Sequence, residues 1–122
     1  MNALGVHVIL ELNECNRELL DDLAYIRAAM IEAADGIGAH VLGESFHRFH
    51  PQGVTGILAL AESHLCIHTW PEYGYASADI FTCGTSIDPQ LAAQILIQRL
   101  GSLEPSVTEL RRGILQQPAV AT

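Results

Sequence analysis

Residues 62–83 read ESHLCIHTWPEYGYASADIFTC. Ser63 is wedged between Glu62 and His64, with Cys66 and His68 following and Cys83 closing the stretch. Three chemistries could use these residue types. A metal site would draw on imidazole and thiolate ligands. Yet His64, Cys66 and His68 alternate along one strand, and at about 3.3 Å per residue the two histidines stand roughly 13 Å apart. That is too far for one ion, and no metal site is expected. A cysteine nucleophile would pair Cys83 or Cys66 with His68 as its base. It leaves the Glu-Ser step unused, and Cys66 by itself reads as a small buried hydrophobe.

The third chemistry is self-cleavage. A serine in a tight turn can attack the carbonyl before it, converting the amide to an ester. Loss of the serine α-proton then expels the upstream chain as a carboxylate, and hydrolysis of the remaining dehydroalanine leaves a pyruvoyl group at a new N-terminus. The chemistry needs a turn serine, a donor for the oxyanion and a base for the α-proton. Ser63, Thr55 and His68 supply those types.

The elements that carry these residues follow from periodicity. GVHVILEL, residues 5–12, is β-branched and apolar and predicts a strand. Leu19, Leu20, Leu23, Ile26, Ala29, Met30 and Ala33 recur at helical spacing, with Asn13 or Asn16 as cap and Gly36 or Gly38 as terminator. Four strands follow, over AHVLGESFHRFH, GVTGILALAE, HLCIHTWPE and YASADIFTCG. Asp88 and Pro89 open a second helix that Gly101 ends, and SVTELRRGI predicts a last strand. The order β-α-β-β-β-β-α-β, with strands in consecutive runs, implies an α+β fold. The expected architecture is a two-layer sandwich, a mostly antiparallel sheet with both helices on one face. The opposite face would then carry His64, Cys66 and His68, because side chains alternate along a strand.

Composition narrows the partners. The 122 residues suit one domain, 1–122, and 49% are hydrophobic, enough for a core. Fourteen acids against six bases give a net charge of −8, and lysine is absent. This disfavours nucleic acid and anionic membranes and suits a cationic small ligand. Only 16% of residues are charged, consistent with apolar surface buried against a second subunit. Three widely spaced cysteines argue against a disulfide framework, and the N-terminal run reads as neither signal peptide nor membrane span. A reduced, cytoplasmic protein is expected.

The segments GVHVILEL, FHRFHPQGVTG and AESHLCIHTWPEYGYASADIFTCG resemble the prokaryotic pyruvoyl-dependent S-adenosylmethionine decarboxylase proenzymes of the short form, over roughly residues 4–112. The resemblance implies cleavage between Glu62 and Ser63 into a β chain, 1–62, and an α chain, 63–122, that begins with pyruvoyl. That carbonyl would form a Schiff base with the substrate amine and act as electron sink as CO2 leaves. Cys83 matches the proton donor, His68 the base of the elimination step, and Thr55 the position commonly held by a processing serine. Phe49 and Trp70 match residues beside the adenine and sulfonium, and Glu72 the residue that holds the ribose hydroxyls.

A dimer of αβ protomers with interfacial sites, needing no putrescine or metal, is further implied. The product would serve as aminopropyl donor for spermidine. Two departures stand out: Thr55 is stiffer than serine, and Cys66 replaces a common threonine or serine. The alternatives are a pyruvoyl-dependent decarboxylase of ornithine or arginine, or an unprocessed non-catalytic relative.

Overall fold

The computed structural model describes residues 3–61, 63–83 and 87–115. Its elements are β1 (Ala3–Asn13), α1 (Arg17–Leu20), α2 (Leu23–Gly36), β2 (Val41–Arg48), β3 (Val54–Leu60), β4 (Ser63–Trp70), a 3-10 turn at Pro71–Tyr73, β5 (Tyr75–Cys83), α3 (Pro89–Leu100) and β6 (Glu104–Ile114). The expected order is found with one correction. The first helical run is two helices, because it carries two caps. Asn16 accepts from the Leu19 amide to start α1, and Asp22, in extended backbone, accepts from the Tyr25 amide to start α2. Asn13 caps neither; its amide donates to the Glu104 carbonyl instead. The second predicted helix begins at Asp88 and Pro89, and Gly101 ends it in the left-handed region at φ 65°.

All six strands join one sheet in the order β2-β3-β4-β5-β1-β6. Every neighbouring pair is antiparallel. The helices cover one face. There Leu10, Leu58, Leu65, Ile67 and Ile80 of the sheet are sealed with Ile26 and Met30 of α2 and Leu96 and Leu100 of α3. No described element covers the other face: Ile57 and Leu110 on it are each 42% exposed. The sheet is therefore a rigid plate with a supported back and an open front, and the front carries the polar residues of β1, β4 and β5.

Leu58 is fully buried, whereas Leu42 on the edge strand β2 is 72% exposed. Leu58→Ala should cost about 2–5 kcal/mol through lost transfer energy and a cavity. Leu42→Ala should stay within about 0.5 kcal/mol. Urea unfolding of the two variants beside the parent checks both.

Candidate active site

β4 and β5 form an antiparallel hairpin, and alternation divides β4 cleanly. Leu65, Ile67 and Thr69 enter the core, while His64, Cys66 and His68 belong to the open face. At one end of the hairpin, Thr55 of β3 is paired with His68 of β4. The Thr55 hydroxyl and His68 Nδ1 share a hydrogen bond of 3.0 Å. Phe49 comes from the β2–β3 loop, Trp70 ends β4 and Glu72 lies in the 3-10 turn. With Gln52, Thr55 and His68 they line a cavity of about 340 Å³. Phe49 is 47% and Trp70 39% exposed, so both rings offer a face to a ligand. Each has an aromatic neighbour: His47 lies 4.5 Å from Phe49 between centroids, and Tyr75 lies 5.4 Å from Trp70.

The cavity is anchored from below. Thr69 Oγ1 donates to the Leu20 carbonyl and accepts from the Val54 amide, both at 2.8 Å. Asp21 accepts from the Gly53 amide at 2.9 Å and from Arg48 Nη2 at 2.7 Å. The Gly53 amide, then Arg48, holds the Asp21 carboxyl below the usual aspartate range. Gly53, at φ 107°, gives the loop a turn that a side chain would strain. Together these bonds fix the loop that carries Phe49 and Gln52.

Ser63 stands at the opposite end of the hairpin. It is the first residue of β4, paired with Leu60 on one side and Thr82 on the other. Its hydroxyl donates to the Ala61 carbonyl at 3.4 Å. Cys83, next to Thr82, lines a second cavity of about 390 Å³ with Ile37, His40, Ala61 and Ile87. Glu62 lies outside the described residues. Ser63 and His68 stand five positions apart along β4, roughly 16 Å at strand rise. One chain therefore brings Thr55, His68, Phe49, Trp70 and Glu72 together, and it places Ser63, paired with the neighbour of Cys83, at the other end of the hairpin.

A third group lies between these ends. His7 of β1 and His64 of β4 both reach Asp79 Oδ2 of β5, at 2.8 and 3.1 Å. Asp79 belongs to the hairpin partner of β4, whereas His7 comes from a strand far away in the sequence. Only the placement of β1 beside β5 reveals His7, which lies opposite Phe81, itself opposite His64. Cys66, read from sequence as a buried hydrophobe, is corrected: it sits half-buried on the open face, across from Asp79. Burial, then the Asp79 charge, pushes its thiol up to about 11. All three cysteines are free.

A family model described as S-adenosylmethionine decarboxylase matches residues 6–113. The chain belongs to the S-adenosylmethionine decarboxylase family. The S-adenosylmethionine decarboxylase proenzyme of Thermodesulfovibrio yellowstonii is 46% identical over 115 residues, 94% of this chain and 85% of that one. The proenzyme of Caldicellulosiruptor saccharolyticus is 46% identical over 118 residues, 97% of this chain and 95% of that one. The crystal structure of the adenosylmethionine decarboxylase from Aquifex aeolicus superposes with a TM-score of 0.89 at 29% identity, covering 96% of this chain and 97% of that one.

The raised thiol makes Cys66 a poor nucleophile. Moving a thiol from 9.0 to about 11 lowers its thiolate fraction near neutral pH roughly a hundredfold. Alkylation of the Cys66 peptide by iodoacetamide, followed by mass spectrometry, should be correspondingly slow at pH 8 and accelerate only toward pH 11.

Proposed function

We propose that the chain is a self-processing, pyruvoyl-dependent decarboxylase that converts S-adenosylmethionine to decarboxylated S-adenosylmethionine and CO2. The observation that carries the reading is the cavity in which Phe49, Trp70 and Glu72 meet the Thr55–His68 pair. Two aromatic faces suit an adenine and a sulfonium. Glu72 adds an exposed carboxylate able to accept from ribose hydroxyls. The net charge of −8 favours a cationic substrate. Ornithine or arginine would leave the aromatic and ribose positions without a partner, so the nucleoside substrate is favoured over those alternatives.

Ser63 fits the origin of the pyruvoyl group: it heads a strand held on both sides, directly after the Glu62 bond to be cut. In processing, Ser63 Oγ attacks the Glu62 carbonyl carbon. The peptide C–N bond breaks, and the freed amine takes the proton that the hydroxyl loses. The Thr55 hydroxyl stabilises the oxyanion and His68 takes the Ser63 α-proton. The Cβ–Oγ bond then breaks, Glu62 departs as a carboxylate, and water releases ammonia from the remaining dehydroalanine. The pyruvoyl carbonyl so formed supplies an electron sink for decarboxylation. Cys83 Sγ delivers a proton to the substrate α-carbon. Thr55 carries a methyl that serine lacks and restricts its own χ1, which slows cleavage without removing the donor.

The separation of roughly 16 Å between Ser63 and His68 supports a dimer of αβ protomers. A second copy, turned by a two-fold axis against the open face, sets its Thr55–His68 end beside Ser63 and Cys83. The same operation completes a second, equivalent site. The uncovered Ile57 and Leu110 are the apolar surface such a contact would bury. The protein then works in the cytoplasm as a supplier of aminopropyl groups for spermidine.

Intact mass under denaturing conditions tests the reading. The parent should give two chains split between Glu62 and Ser63, the second blocked at its N-terminus. Ser63→Ala should give one full-length chain and no CO2 from S-adenosylmethionine. CO2 release by that variant would refute the pyruvoyl mechanism.

A further inference from the structure

The proposed function leaves His7, His64, Asp79, Phe81 and Arg112 without a task, although they form a connected side-chain group on the open face. Asp79 Oδ2 lies 2.8 Å from His7 Nε2 and 3.1 Å from His64 Nε2. A carboxylate only accepts, so both Nε2 atoms donate to it. Arg112 Nη1 lies 3.1 Å from His7 Nδ1. A guanidinium only donates, so His7 Nδ1 is the acceptor and its ring proton sits on Nε2. The three donor atoms lie close enough to surround an ion. Each imidazole nitrogen facing Asp79 is nevertheless used as an N–H donor, and Arg112 opposes the tautomer a metal would need at His7. The group is built as a hydrogen-bonded brace.

The rings are fixed as well. His64 stacks on Phe81 at 5.8 Å with planes 23° apart, and His7 meets the same ring edge-on at 5.7 Å. Gly5 leaves the space for Phe81: a Cβ there would come within 2.5 Å of its Cζ. The brace thus runs across β4, β5, β1 and β6 and ends on the residue directly after Ser63. Attack by Ser63 Oγ on the preceding carbonyl demands a fixed backbone on the C-terminal side of the scissile bond, because small misplacements of reacting atoms cost large factors in rate.

We infer that His64, held by Asp79 and through it by His7 and Arg112, is a positioning residue for self-cleavage at Ser63. The inference rests on the proposed processing of Ser63. His64 lies outside the cavity formed by Phe49, Trp70 and Glu72, so it does not set the affinity for the nucleoside. Its donor, rather than its bulk, is what the brace uses.

The test follows cleavage of freshly made proenzyme by denaturing mass spectrometry in the parent, His64→Leu, His64→Gln and Asp79→Ala. The melting temperature of each variant and the KM of its processed fraction are measured alongside. A glutamine amide nitrogen can replace the Nε2 donor, and a leucine cannot. Cleavage should slow roughly tenfold to a hundredfold in His64→Leu and Asp79→Ala. His64→Gln should recover most of the parent rate, with KM within about twofold of the parent in every processed variant. Cleavage of His64→Leu at the parent rate would overturn the inference. So would equal slowing of the Leu and Gln variants, or a KM that rises in step with a falling melting temperature. A parent that never splits removes the processing reading and the inference together; a parent that splits beside an unaffected His64→Leu removes the inference alone.

Discussion

The antiparallel ladder of β3, β4 and β5 is the constraint on which everything else depends. Backbone pairing sets Thr55 against His68 and Ser63 against Thr82, and a strand cannot be shortened to bring its two ends together. A one-residue slip would carry Leu65 and Ile67 out of the core and His64 and His68 into it, so the burial of the back face holds the chemistry of the front in register. The reactive groups are thus held rigidly in two sets that one chain keeps apart. In this account a second copy completes each site, and the low content of charged residues and the uncovered front of the sheet have one cause.

The helices serve the site indirectly. α2 and α3 seal the back face, and the short junction between α1 and α2 reaches under the cavity. Asp21 in that junction grips Gly53 and Arg48, and the Leu20 carbonyl receives Thr69. The position of Phe49 therefore depends on the interruption of the first helical run. Asp22, the cap of α2, follows directly on the residue that holds the β2–β3 loop.

Much of this was legible in the sequence for local reasons. Period-two alternation assigns His64, Cys66 and His68 to one face, and Asp88, Pro89 and Gly101 mark the ends of α3. The long motif around Ser63 points to the family that the chain belongs to; of its residues, His68, Trp70 and Glu72 line one cavity with Phe49 and Thr55, while Ser63 and Cys83 lie away from it. What stayed hidden depends on strand order. Because β1 crosses to lie between β5 and β6, His7 and Arg112 reach the neighbourhood of His64 from far along the chain. The split of Ser63 from His68 follows from spacing on a straight strand. The same spacing sets His64 apart from His68, so a metal site on β4 and a one-chain processing site meet the same geometric obstacle.

The central claim is that Ser63 of one protomer is processed by His68 of another. Co-expression of Ser63→Ala with His68→Ala, the two chains distinguished by mass, tests it most directly. Neither variant should cleave alone. In the mixed dimer one site combines an intact Ser63 end with an intact His68 end, so the His68→Ala chain should split between Glu62 and Ser63 while the Ser63→Ala chain stays whole. A His68→Ala chain that remains uncut in verified mixed dimers would contradict the account and place the processing base within the same chain as its serine.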